Sequence, residues 1–288
     1  MDIRHAKDSV QSPLLLIGLM LWLTLVTTPH VFADQSFRLR AHTSLQNLPT
    51  TDDIKAEINF GRSVAARILG KFQLYSDDEL TRYVNLVGKA VALHSERTEI
   101  NYYFGIIQDE HANAYSAPGG YIFITTGALQ QMEDEAELAA VLAHEIAHVT
   151  EKHIVKELNI KGIDSSATSS LGQILSGTTN TTKAIFNQIV DKAVNILLEK
   201  GYKQQDELDA DRIAIQLMAL TGYDPTALSR YLSRLQSLAE SNKEETANHT
   251  HPPSEKRFNN IASLMQEEQL DASHFTKTSS RFKQYVTF

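Results

Sequence analysis

Residues 138–153 read Leu-Ala-Ala-Val-Leu-Ala-His-Glu-Ile-Ala-His-Val-Thr-Glu-Lys-His. The run holds good helix formers and neither glycine nor proline, so it is expected to be helical throughout. Val141, Leu142, Ile146 and Ala147 make most of its circumference apolar, and a helix of that kind has to be enclosed by the rest of the fold. Within it, His144 and His148 stand at i and i+4, about 40° apart on one face, and aim two imidazoles at one point. Glu145 is offset by about 100°, close enough to reach a water held at that point without itself being a ligand. Unpaired imidazoles and a carboxylate are costly on a buried helix. A zinc ion compensates them, and the pattern is that of a zinc hydrolase with Glu145 as base.

The chain contains no cysteine, so neither disulfides nor thiolate ligands are available and the metal has to be held by histidine and carboxylate. His153 lies five residues beyond His148. On a continuous helix it would point about 180° from His144 and about 140° from His148, which makes it a helix-end or hydrogen-bonding histidine rather than a ligand. Gln205 to Ala214 begins another helix, on which Glu207 and Asp211 share a face. Two readings stay open on spacing alone. Glu207 is the third ligand with Asp211 accepting a hydrogen bond from the far nitrogen of a ligating histidine, or both belong to a solvated acidic helix start favoured by the helix dipole.

Residues 1–33 read as a cleaved secretory signal peptide: Arg4 and Lys7, an apolar run from Leu14 to Val26, a break at Pro29, and small residues before Asp34. With no cysteine after the apolar run, a lipoprotein anchor is excluded. The formal net charge of the full chain is −8, and the leader's charges cancel, so the balance gives no support for nucleic-acid binding. Residues 34–50 are expected as a flexible segment, 51–270 as the catalytic domain and 271–288 as a C-terminal tail. Helices are expected from Asp52 or Asp53 to Gly70 and behind the Ser76-Asp77-Asp78-Glu79 capping box.

Strands are expected over Ile100–Gln108 and Tyr121–Thr125, giving an α+β, mostly helical fold with a small antiparallel sheet at the cleft edge. Pro118-Gly119-Gly120 marks either a hairpin or the strand edge on which an extended peptide is added, with Tyr121–Thr125 as that edge. Residues 161–182 are rich in Ser, Thr and Gly and are expected to connect over or beside the site. The amphipathic helix from Ile185 to Leu198 is read as core-facing, with peripheral membrane contact as the alternative.

Taken together, His144-Glu145-x-x-His148-x-x-x-x-His153 and Glu207-x-x-x-Asp211 resemble the M48 family of zinc metallopeptidases. Asn113-Ala-x-x-x-Pro118-Gly119-Gly120 and His251-Pro252-Pro253-Ser254-Glu255-Lys256-Arg257 match the same family, in family order. The likeness is to its soluble, periplasmic, β-barrel assembly-enhancing branch, without the tetratricopeptide repeats. The resemblance implies a gluzincin fold with one Zn2+ per chain on His144, His148 and Glu207. It makes Glu145 the catalytic base, supported by Asp211. It also implies that His251 is either a fourth ligand that switches the site off or a loop histidine shaping the cleft, with His249 a weaker candidate. Asn113, Pro118, Gly119, Gly120 and Arg257 are assigned to the substrate cleft, Arg257 as oxyanion donor or loop brace. The implied partners are polypeptides, among them outer-membrane proteins or their assembly machinery. The implied function is a zinc endopeptidase of the periplasm acting on misfolded or unassembled envelope proteins. The alternative is a zinc-stabilised, chaperone-like assembly factor with latent peptidase activity.

Overall fold

The computed structural model describes residues 51–158, 179–241 and 250–288. The leader, the segment 34–50, His249 and most of the Ser/Thr/Gly-rich connection lie outside the described residues. Helix α1 spans Thr51–Leu69 and α2 spans Asp78–Ala92. Asp77, rather than Ser76, is the N-cap of α2, its carboxylate accepting from the Leu80 amide. Strands β1 (Tyr103–Ile107), β2 (Ala114–Ala117) and β3 (Tyr121–Thr125) form one sheet in the order β1-β3-β2. β2 pairs antiparallel with β3, and β1 pairs parallel with it, so the fold is α+β with a small mixed sheet.

That order corrects one expectation. Tyr121–Thr125 is the central strand, with both sides paired, and cannot take an added peptide. The outer strand on that side is Ala114–Ala117, which is too short and too rich in alanine to be read as a strand from its sequence.

The sheet separates two apolar clusters. Phe104, Ile106, Ile122 and Ile124 face one, with α2 and the later helices. Ile107, Tyr115 and Phe123 face the other, with α1 and the segments after residue 153. This is the period-2 alternation of a sheet covered on both faces. Pro118-Gly119-Gly120 forms a tight turn against α1. A Cβ on Gly61 would sit 1.6 Å from the Pro118 carbonyl oxygen, and Gly119 has φ 72° with Ile58 directly behind it. The Gly119 amide donates to Glu57 at 3.3 Å. These three residues form a backbone-to-backbone joint, Pro118 and Gly119 with α1 and Gly120 with Asn101 ahead of β1, and Pro118 also borders a small cavity with Ser116 and His148.

A short helix α3 (Thr126–Gln130) leads to α4, Glu135–Thr150. Asp134 caps α4 by accepting from the Glu137 amide, and every residue from Glu135 to Val149 is buried. Then come α5 (His153–Glu157), α6 (Asn180–Asn195, continued by a π turn to Lys200) and α7 (Gln204–Thr221). They are followed by α8 (Ala227–Ser241), α9 (Glu255–Glu267) and α10 (Ser279–Tyr285). The apolar side of α6 is used internally: Val190, Ala193 and Val194 are buried, and Phe186 meets Phe60 edge-on at 6.2 Å. Of its large apolar side chains Ile185 is exposed and Phe186 and Ile189 are half-buried. No described helix is long and apolar enough to cross a membrane. Residues 271–288 are not a loose tail. Phe282 is buried, Tyr285 stacks on Tyr83 with centroids 4.5 Å apart, and the Ala136 amide donates to Lys277 O.

Candidate metal centre

Helix α4 presents His144 and His148 to α7 and to the segment that precedes α9. His144 Nδ1 lies 3.0 Å from Asp211 Oδ1, which leaves Nε2 as the lone-pair nitrogen. His148 Nδ1 lies 2.8 Å from His153 Nδ1, and its Nε2 faces inward, 3.0 Å from His144 Nε2. At that separation the two nitrogens need either a proton or a metal ion between them. Glu207 completes the cluster at 3.4 Å from His144 Nε2 and 3.5 Å from His148 Nε2. His251 Nδ1 is 2.8 Å from Glu207 and 3.3 Å from His144 Nε2.

One ligand atom from each of His144, His148, Glu207 and His251 falls within a 4.8 Å span, and all four residues are buried. A tetrahedral ion with bonds of about 2.1 Å holds its ligand atoms about 3.4 Å apart. The donor set therefore fits a metal ion.

His251 also reaches past the cluster: its Nε2 lies 3.5 Å from Glu145 Oε1. One imidazole thus covers a ligand position and the carboxylate beside it. Glu145 Oε2 is buried without a hydrogen-bond partner. It borders a cavity of about 20 Å3 shared with Asn113, Val141, His144 and His251, which is room for one water.

Arg257 is fully buried and spends its guanidinium inside the protein. It grips both oxygens of Asp211 at 2.8 and 2.7 Å, reaches Glu207 at 3.0 Å, and donates to the carbonyls of His251 and Pro252. These contacts brace the segment that carries His251 and Pro252. Burial opposes the charged form of Asp211, but Arg257 and His144 hold its carboxyl below the usual range. Burial likewise works against a charged His144, yet Asp211 and Glu207 hold its pKa up at about 9, so a metal ion bound at Nε2 would have to displace a proton. Burial drives His153 the other way, to about 3.

Asn113 lines the cavity as expected. Its side-chain carbonyl accepts from the Thr250 hydroxyl at 3.0 Å, tying the start of β2 to the His251 segment. The sequence reading missed Tyr202. Its ring stacks on His148 with centroids 3.9 Å apart and planes 14° off parallel, and its hydroxyl is sealed from solvent beside Ser116. An aromatic directly before the acidic start of α7 was the available signal. His153 is placed by a chain reversal that the continuous-helix geometry did not anticipate. α4 ends at Thr150, and Lys152 at φ 55° swings His153 back under His148.

The profile of Peptidase family M48 matches residues 77–265. The chain is 28% identical over 215 residues to a beta-barrel assembly-enhancing protease of Escherichia coli K12, covering 73% of this chain and 44% of that protein. It is 27% identical over 188 residues to a putative beta-barrel assembly-enhancing protease of Vibrio cholerae, covering 65% of this chain and 39% of that protein. With a mitochondrial metalloendopeptidase of Schizosaccharomyces pombe it shares 30% identity over 206 residues, 70% of this chain and 58% of that protein. The chain thus spans less than half the length of the assembly-enhancing proteases it matches.

Proposed function

The chain belongs to peptidase family M48, and from that premise we propose that it is a zinc-dependent endopeptidase. Its ligands are His144, His148 and Glu207, with Glu145 as general base. The observation that carries the reading is the pairing of four convergent, buried donors with a Glu145 oxygen that has no partner among the described residues, at a water-sized cavity. A set of nitrogen and oxygen donors with four-coordinate spacing favours zinc among the common divalent ions. When bound, zinc supplies Lewis acidity, lowering the pKa of its water and polarising a carbonyl.

The protein's own groups do the remainder. Glu145 takes the proton of the attacking water and delivers it to the leaving amine. Asp211 fixes the tautomer and direction of His144. Arg257 neutralises Asp211, shares Glu207 and anchors the His251–Pro252 carbonyls.

Substrates are polypeptides, bound in extended form along β2. The antiparallel register, with Asn113 O accepting from the Thr125 amide, leaves the Ser116 backbone groups on the unpaired side of that strand. Tyr202 and Thr250 now stand on that side, through Ser116 and Asn113. His251 is a switch: with Nδ1 among the donor atoms and Nε2 against Glu145, it would cover a ligand position and the base and so hold the enzyme latent until substrate displaces it. The names of the relatives and the leader-like N-terminus support a periplasmic site of action on outer-membrane or other envelope proteins.

The test is cleavage of an unfolded model substrate such as casein by the zinc-loaded protein. Wild type is expected to cut slowly, His251→Ala faster, and Glu145→Gln not at all; equal activity in wild type and Glu145→Gln overturns the assignment. The position of His251 inside the cluster also favours a second reading, a zinc-stabilised chaperone-like assembly factor with a latent peptidase. Rescue of a deletion strain by Glu145→Gln would select it.

A further inference from the structure

The two helix histidines of the cluster are held in different ways. His144 is backed by a carboxylate, Asp211, whose charge Arg257 cancels. His148 has no carboxylate behind it. With its Nε2 turned to the cluster, its proton is on Nδ1, and His153 Nδ1 stands 2.8 Å away to accept it. That requires the His153 proton to be on Nε2, which faces Asp206 Oδ1 at 3.8 Å. On the flat side of the His148 ring lies Tyr202, 3.9 Å centroid to centroid and nearly parallel.

We propose that His153 and Tyr202 are the positioning residues of His148. His153 fixes its tautomer and direction by accepting the Nδ1 proton, and Tyr202 fixes the plane of its ring. Asp206, beside the ligand Glu207, keeps the His153 proton on the far nitrogen. The asymmetry has a physical reason. Arg257 is committed to Asp211 and Glu207, so a second buried carboxylate behind His148 would have no cation of its own. A neutral imidazole acceptor supplies the hydrogen bond without the charge. The Lys152 reversal places it there, and the Glu157 ion pairs with Lys200 and Lys203 tie α5 to the turn that carries Tyr202.

The proposal rests on the peptidase reading only for the existence of the metal. Its test is therefore metal binding, read with cobalt(II) as the probe and without turnover. Cobalt affinity and the visible spectrum are measured for wild type, His153→Ala, His153→Gln, Tyr202→Phe, Tyr202→Leu and His148→Ala. Metal-free melting curves report whether each variant folds.

Loss of an outer hydrogen bond to a ligand histidine costs about 10–100-fold in metal affinity, and His153→Ala is expected in that range with a shifted spectrum. His153→Gln, whose side-chain carbonyl accepts a hydrogen bond, recovers most of the affinity. Tyr202→Phe keeps the stack and behaves as wild type, while Tyr202→Leu loses affinity and shifts the spectrum. Wild-type affinity and spectrum in His153→Ala overturn the proposal. So does a loss as complete as that of His148→Ala, which would make His153 a ligand. If His153→Ala does not fold, the Phe and Leu variants of Tyr202 decide, and equal behaviour of the two overturns it. Casein cleavage with unchanged cobalt binding in His153→Ala would sink this proposal alone. Cobalt binding without cleavage in wild type would sink the peptidase reading alone.

Discussion

Helix α4 buries ionisable side chains at both ends, and the two ends are resolved in opposite ways. At its start, Glu135 accepts from Tyr83, Tyr223 and Arg281. Glu137 accepts from Arg230 and Arg234, and Asp134 and Asp224 share Arg230. Every negative charge there meets a cation or a phenol that the chain itself provides. At the other end His144, His148, Glu207 and His251 turn donor atoms toward one point, where Arg257 reaches Glu207 alone, and among the described residues Glu145 keeps a buried oxygen without a partner. Both ends contain acidic residues on a buried helix, so burial and charge alone do not mark a functional site. Incomplete internal compensation does. The acidic groups at the start of α4 are paired with cations and phenols of the chain, whereas its far end gathers four donors around a point that a metal ion fits.

The sharpest way to break this contrast is Glu145→Gln. Loss of the base is expected to lower the cleavage rate by about 10²–10⁴-fold while zinc content, read by metal analysis, stays at the wild-type level. A change of comparable rate in Glu137→Gln, with zinc retained, would mean that the two ends are not functionally distinct.

The next effect is on stability. Arg257→Ala strands Asp211 and Glu207 in the interior, and removing one partner of a buried ion pair costs about 3–5 kcal/mol by urea denaturation. Chelation acts in the same direction: at a thousandfold excess over Kd, a bound ion contributes about 4 kcal/mol. A melting temperature that a chelator leaves unchanged would count against the metal.

The start of α4 gives a pH signature instead. Burial opposes the charged form of Glu135, but Arg281, Tyr223 and Tyr83 outweigh it and hold its carboxyl below the usual value of 4.5. A depressed folded pKa means that the stabilisation is complete above the ordinary value and is lost as the pH falls through the folded one. Stability is therefore expected to fall below about pH 4.5, and Glu135→Gln should flatten that slope at a cost of about 1–3 kcal/mol at neutral pH. The smallest effect is expected at the surface pair Arg67–Asp191, whose side chains are 45% and 55% exposed. Arg67→Ala should cost less than about 1 kcal/mol, and a larger loss would show that exposure is a poor guide to worth in this molecule.

Much of the contrast was legible in the sequence. The apolar helix around His144-Glu145-x-x-His148 announces its own burial and its need for a cation. Glu207 was readable as a candidate because four-residue spacing sets it on one face with Asp211. The cleft-edge strand was not readable, because Ala114–Ala117 has neither the length nor the β-branched content of a strand and is one only because β3 lies beside it. Nor were Pro118, Gly119 and Gly120 readable as a joint. Their turn chemistry is local, whereas the close approach that demands it comes from Gly61, more than fifty residues earlier.

The sequence by itself determined the side chains on offer: no thiolate, two imidazoles on one helix face, a carboxylate beside them, and a helix that the rest of the chain has to enclose. These follow from residue type and helical period, which act over a few residues. The tertiary structure alone decided who supports whom. Arg257 braces the His251 segment, His153 returns under His148, Tyr202 stacks on it, and residues 271–288 close over the start of α4. Those relations depend on chain reversals and on contacts between distant segments. They are fixed by the packing of whole elements, to which local spacing carries no information.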